Sequence, residues 1–386
     1  MERLRVKAAA WSVAFAFVAG SSGRAQDSGP VSIAREGYVF AGGKYSEVKG
    51  KEVMSGQLYA EYQVPAKQTG LYPVVMIHGG GVSGNIYMGT PDGHEGWAEF
   101  FLRKGYTVYV VDQVGRGRSG YQSDIYGPAP GSTNHDFTQR REISTEYFNL
   151  WPQAKLHTQR PGTGKRGDPW FDSFAASEMP SITDFSTVSR VNRDAVIALL
   201  EKIGPAILIT HSQSGPPGWL VADNRPDLVK ALVSIEGGLP FYDVDFVGAP
   251  DWFKEGPKRR PWGLTSEPIH YSPPVSDPSE IALVEQDKPD GPGLAKCWLQ
   301  KEPARQLPNL QKVPILLLTG EASFHAPTDQ CIVKHLEQAG VHPSWIKLGD
   351  VGIHGNGHMM MQEKNNLEIA EVIFNWFVKT VPNKKS

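Results

Sequence analysis

Several short stretches of this chain are apolar at every position rather than at every second one. Residues 73–78 (Pro-Val-Val-Met-Ile-His), 106–112, 207–210, 230–235 and 313–319 read this way. Continuous apolar runs of that length predict strands covered on both faces. Residues 37–40 and 53–64 mix apolar with polar and charged positions and predict antiparallel strands that open the sheet, after an extended lead-in over 28–36. Between the buried runs the period changes. Residues 96–104, 189–202 and 327–339 predict helices, the second with Val191, Ala195, Ala198 and Leu199 on one face. Residues 344–348 predict a last short strand. The chain then closes on an amphipathic helix bearing Leu367, Ala370, Phe374 and Phe377. Strands alternating with helices predict an α/β fold with a mostly parallel central sheet flanked by helices.

Two stretches break the alternation. Residues 121–187 and 239–310 lose periodicity yet hold many aromatics, among them Trp151, Trp170, Phe171 and Phe174 in the first and Phe241, Phe246, Trp252, Phe253, Trp262 and Tyr271 in the second. A solvated disordered segment would not carry so much apolar surface, so both are expected to be cap insertions folded over the sheet. No internal repeat and no linker is evident. Residues 26–386 are therefore expected to form a single domain.

Composition narrows the class. With 386 residues, 40% hydrophobic content and a formal charge of -2, the chain can bury a large core and has no electrostatic bias toward nucleic acid or acidic membrane. Basic residues among the first seven, an apolar run over 8–20 and small residues up to Ala25 predict a signal peptide over 1–25, a mature chain from Gln26 and secretion. The run is too short to span a bilayer. An oxidising compartment would permit the two cysteines, Cys297 and Cys331, to pair; sequence leaves their separation in space open.

The chemistry centres on residues 207–215, where an apolar run meets Thr210-His211-Ser212-Gln213-Ser214-Gly215 and then Pro216-Pro217. Proline suits the first turn of a helix, so the pattern is strand, sharp turn, helix. In a nucleophile elbow the residues two before and two after the nucleophile must be small, because the turn is strained; Thr210 and Ser214 meet that need around Ser212, in place of the usual glycines. The plain alternative is a strand end followed by a polar turn. An unassisted serine hydroxyl is a poor nucleophile, so Ser212 needs an imidazole and a carboxylate to orient it. Glu236, after the strand that follows the elbow, is the first candidate acid and Glu321 the second. His358, delivered by Gly355-Asn356-Gly357, is preferred as base over His354. His78 and His211 are expected to be hydrogen-bonded buried histidines. Gly79-Gly80-Gly81 ends a central strand, and the amides of Gly80 and Gln213, with Gly81 as a further option, are the candidate oxyanion donors.

Other motifs fail on context. Gly115, Gly117 and Gly120 are followed by no capped helix, which argues against a dinucleotide site, and Gly162-Thr163-Gly164-Lys165 lacks phosphate-loop spacing. No His-x-x-x-His or Cys-x-x-Cys pairing supports zinc. No cofactor and no metal are expected.

The strand order and the placement of these residues resemble the α/β-hydrolase fold, in which nucleophile, acid and histidine follow in that order. Within it, the motifs at 78–81, 115–119 (Gly-Arg-Gly-Arg-Ser), 210–215 (Thr-His-Ser-Gln-Ser-Gly) and 354–361 (His-Gly-Asn-Gly-His-Met-Met-Met) resemble those of a small group of secreted bacterial serine carboxylesterases. In that group the acid is a glutamate placed as Glu236 is. Most members of the fold carry it after the next strand, where this chain has Ser323. The resemblance implies a catalytic triad of Ser212, Glu236 and His358 acting through an acyl-enzyme on a small-molecule ester, with aromatic insertions favouring apolar groups. Rival readings are lactone, thioester, polyester or carbon–carbon bond hydrolysis by the same residues, or a non-catalytic secreted binding module. Oligomeric state stays open, a homodimer included.

Overall fold

In the computed structural model the described residues are 29–130, 135–245 and 254–382. The expected signal peptide and the aromatics Phe246, Trp252 and Phe253 lie outside them. The strands are β1 (Ile33–Val48), β2 (Lys51–Pro65), β3 (Val74–Ile77), β4 (Val108–Asp112), β5 (Ala206–His211), β6 (Val229–Ile235), β7 (Phe241–Asp245), β8 (Lys254–Arg260), β9 (Leu283–Glu285), β10 (Trp298–Gln300), β11 (Ile315–Thr319) and β12 (Ser344–Lys347). The helices are α1 (Trp97–Arg103), α2 (Ser123–Tyr126), α3 (His135–Thr138), α4 (Pro169–Ser177), α5 (Phe185–Ile203), α6 (Gly215–Asn224), α7 (Gln330–Gln338) and α8 (Asn366–Thr380).

One eight-stranded sheet runs β1-β2-β4-β3-β5-β6-β11-β12. The β1–β2 and β2–β4 pairs are antiparallel, and every pair from β4 to β12 is parallel. The fully apolar runs are the central strands, as a sheet clad on both faces requires. Along β3, Val74 and Met76 enter the core beneath α1 and α8, with Trp97, Phe101 and Phe377. Val75 and Ile77 enter the opposite core beneath α5 and α6, with Leu199 and Trp219.

The opening hairpin is longer than its sequence pattern predicts. β1 starts at Ile33, inside the expected lead-in, and pairs with β2 along its length. Most of β1 is exposed, so backbone pairing rather than a buried stripe defines it, and the period-2 signal is faint. Its turn is legible: Lys49 and Gly50 both have positive φ, 51° and 75°, as a two-residue type I′ hairpin needs. Helix α5 begins at Phe185, ahead of the expected start, because Asp184 caps it by accepting from the Thr187 amide at 2.7 Å.

The described residues of the two aperiodic stretches are partly built into the main core. Trp170, Phe171 and Phe174 of α4 pack with the α1/α8 side, while Phe241, Trp262 and Tyr271 pack with the α5/α6 side. The second stretch contains two hairpins, β7–β8 and β9–β10. Cys297 is disulfide-bonded to Cys331, with Cα atoms 5.2 Å apart, which ties this stretch to α7. No helix among the described residues is long and apolar enough to cross a membrane.

Candidate active site

Residues that follow β3, β5, β6, β11 and β12 converge at the carboxyl edge of the sheet, where open parallel sheets place their ligands. Ser212 stands between β5 and α6 with φ of 53°, a left-handed conformation that non-glycine residues adopt under constraint, at a cost of about 1–3 kcal/mol. The local sequence shows what imposes it. The Ser214 hydroxyl donates to the carbonyls of Ile77 (2.8 Å) and His211 (2.9 Å) and accepts from the His211 amide (2.8 Å). A glycine there would lose all three. The space that an elbow glycine usually leaves is instead provided one residue on: a Cβ at Gly215 would meet the Gly237 carbonyl at 2.3 Å. Likewise Thr210 fits because Gly218 faces it; a Cβ there would come within 2.6 Å of the threonine methyl.

Glu236, at the end of β6, also has a left-handed backbone, with φ of 51°, and is buried. Its carboxylate accepts from the Gly320 amide at 2.8 Å and from the Ser323 hydroxyl at 2.6 Å, and it is hydrogen-bonded to His358 Nδ1. Ser323 thus holds Glu236 from the position where most members of the fold carry the acid itself. Burial pushes the Glu236 carboxyl well up and the His358 imidazole well down from their usual values; His211, His325 and Arg141 push His358 further down. The His358 ring lies 4.4 Å from that of His211, the residue before Ser212. The competing pair also forms, but elsewhere: His354 Nδ1 is 3.0 Å from Glu321, which accepts from the Gly355 amide at 2.8 Å, and the His354 side chain is 63% exposed.

The glycine loop after β3 backs onto the elbow. A Cβ at Gly79 would stand 3.0 Å from the Ser212 Cβ, so only glycine allows that approach, and Gly80 lies beside Gln213. Arg116 fixes both parts: it donates to the Gly79 carbonyl at 2.6 Å and to the Gln213 side-chain oxygen. This is the work of the Gly-Arg-Gly-Arg-Ser stretch, whose role spacing alone did not disclose. His78 donates from Nδ1 to Gly79 O (2.9 Å) and accepts from the Gln113 amide at Nε2 (3.0 Å). His211 Nε2 is 3.0 Å from the His358 carbonyl. Burial lowers both to about 3, so each is a neutral structural imidazole.

His325 and Asp329 were not singled out by sequence. His325 Nδ1 lies 2.7 Å from Asp329, which also accepts from the Thr319 hydroxyl, and its ring is parallel to that of His358 at 5.4 Å. Ligand-type atoms of Glu236, His325 and His358 lie within 4.8 Å of one another. Their partners are already within the protein: Glu236 and His358 bond each other, and Asp329 takes His325.

Ser212, Gln213 and Glu236 open onto a cavity of about 820 Å³, whose apolar lining includes Phe137, Leu150, Phe185, Leu239 and Phe324. Residues of both aperiodic stretches thus line this cavity. Many of their aromatics, Trp170 and Trp262 among them, serve the core instead.

A family model described as "alpha/beta hydrolase fold" matches residues 72–270. A relative from Fungal sp. (strain ATCC 74256), described as "Probable secreted lipase phiG", is 42% identical over 346 residues, 89% of each chain. This chain belongs to the alpha/beta hydrolase family. A solved family structure titled as that of a novel bacterial esterase superposes with a TM-score of 0.62 at 25% identity, covering 92% of this chain and 98% of that one. This hydrolase is thus matched over 89% of its length by the fungal relative and over 92% by the esterase structure.

Proposed function

We propose that this hydrolase is a secreted serine esterase, with Ser212 as nucleophile, His358 as general base and Glu236 as the acid that orients it. The relatives described as a lipase and an esterase support ester hydrolysis in general. The finer reading is supported chiefly by one observation: a buried carboxylate bonded to His358 Nδ1, beside a left-handed serine that faces a cavity. The Glu236 bond commits Nδ1, leaving Nε2 to take the Ser212 proton as Oγ attacks the ester carbonyl. The amides of Gln213 and Gly80 receive the oxyanion, and loss of one such donor typically costs about 3 kcal/mol in the transition state. Collapse breaks the carbon–oxygen bond and the alcohol leaves with the proton from His358. Water then attacks the acyl-enzyme, with His358 again taking the proton, and the acid is released.

Ser212→Ala is expected to abolish turnover of a simple activated ester while leaving the circular dichroism spectrum intact. A fluorophosphonate should label wild-type Ser212, located by peptide mapping. Undiminished hydrolysis by the alanine variant would overturn the assignment. Secretion is supported by the amino-terminal pattern and by the description of the fungal relative. Amino-terminal sequencing of exported protein should begin near Gln26.

A further inference from the structure

His325 gives the cavity a second imidazole held by a buried acid. Its Nδ1 lies 2.7 Å from Asp329, and Asp329 accepts at 2.7 Å from the hydroxyl of Thr319, the last residue of β11. The His325 backbone amide donates at 3.1 Å to the Ser323 hydroxyl, which in turn holds Glu236. Its ring packs 4.5 Å from that of Phe324 and runs parallel to that of His358 at 5.4 Å. The imidazole is thus fixed at its backbone, at Nδ1 and on its faces, by groups that also fix the proposed base. The residue is only 5% exposed, and it lines the cavity onto which Ser212 opens. Among the described residues none bonds its Nε2.

A neutral imidazole carries one ring proton. With Asp329 accepting at Nδ1, the lone pair falls on Nε2, which becomes a rigid acceptor beside the proposed base. An apolar group seated against it would leave that lone pair unpaired. A site built to bond a substrate hydroxyl rejects the analogue without it far more strongly than an apolar wall rejects an added hydroxyl. We propose that the site takes esters carrying a hydroxyl a few bonds from the scissile carbonyl, and that His325 Nε2 accepts from that hydroxyl. This deepens the serine-esterase reading and rests on it. His325 sets specificity here, while His358 moves the protons.

The test compares each hydroxy ester with its methyl ether and with the isostere that has methyl in place of hydroxyl. On the alcohol side the sets are 2-hydroxyethyl, 2-methoxyethyl and propyl butyrate, and 4-hydroxybutyl, 4-methoxybutyl and pentyl butyrate. On the acyl side the set is methyl 3-hydroxybutyrate, 3-methoxybutyrate and 3-methylbutyrate. Initial rates are followed by pH-stat at pH 8 on the full protein. In at least one set the wild type is expected to favour the hydroxy ester over both analogues by about tenfold or more in kcat/KM. In His325→Phe, with its fold checked by circular dichroism, that margin should vanish. The carboxylates of the same lining, Asp136, Glu142 and Asp243, stay in place in this variant, so a preference that they create would survive it and overturn the inference. An ether as good as its alcohol also overturns it, because an ether cannot donate. Equal kcat/KM within every set does the same while leaving the esterase reading intact. Neither of these two results needs a variant, so the wild-type comparison decides alone should His325→Phe not fold. If no ester of any set is cleaved, the esterase reading falls and takes the inference with it.

Discussion

At the scale of single residues, the site is governed by what burial does to charge. In its proposed role as base His358 must be neutral to accept a proton, and burial, with His211, His325 and Arg141 nearby, favours that neutral form. The pKa of the base is lowered, so activity should persist as pH falls past the usual imidazole value. The acid limb of kcat/KM is expected to have its midpoint below pH 6.5; a midpoint at or above 6.5 in a pH–rate profile would contradict this. Ser323→Ala removes one of the donors that hold Glu236. A hydrogen bond to a charged group is worth about 1.5 kcal/mol or more, so kcat should fall by about tenfold with KM little changed, as steady-state kinetics would show. Ser212, Glu236 and His358, the proposed triad, stand out in the sequence because each follows a recognisable strand or glycine-rich loop and because the motifs around Ser212 and His358 resemble those of the esterase group. Ser323, Arg116 and Asp329 do not. Their roles are contacts with residues distant in sequence, and no local periodicity records them.

At the scale of elements, the strands and helices of the sheet were readable because burial on two faces leaves an unbroken apolar signature. The first insertion was read only as something folded over the sheet, since its structure comes from capped short turns and polar pairings. One of these reaches the loop carrying the proposed base. His157 of the insertion lies 2.7 Å from Glu363 and 3.0 Å from Glu146, and Glu363 accepts from the Gly357 amide (2.9 Å) and the Asn356 side chain (2.7 Å). Against the opposing effect of burial, Glu363 and Glu146 raise the His157 imidazole to about 9. A folded pKa above the unfolded 6.5 gives stability that is complete below pH 6.5 and is lost as pH rises through about 9. His157→Gln leaves the buried Glu363 without its cation, while Glu146 keeps Arg160, and should cost about 3 kcal/mol in urea unfolding at pH 6, with the difference shrinking at pH 9.5. The same variant should lower kcat, because it loosens the residues just before His358.

At the scale of the whole molecule, the pairing of Cys297 with Cys331 closes a loop with a sequence separation of 34 residues. In the chain-entropy model such a closure contributes about 4 kcal/mol by restricting the unfolded chain. Cys297→Ser with Cys331→Ser should therefore lower the thermal midpoint by several degrees, measured by calorimetry against the oxidised wild type. Sequence left this pairing open because nothing in it reports how the second insertion meets α7. The parallel architecture, by contrast, followed directly from alternating strands and helices, and with it came the edge of the sheet at which to look for chemistry.

The polar bridge from His157 to Glu363 ties the loop carrying the proposed base to a segment that contributes nothing to the sheet. A proteolytic nick within residues 121–187 that unseats the insertion would silence the hydrolase while its strands remain paired. Loss of turnover would then precede any loss of ellipticity.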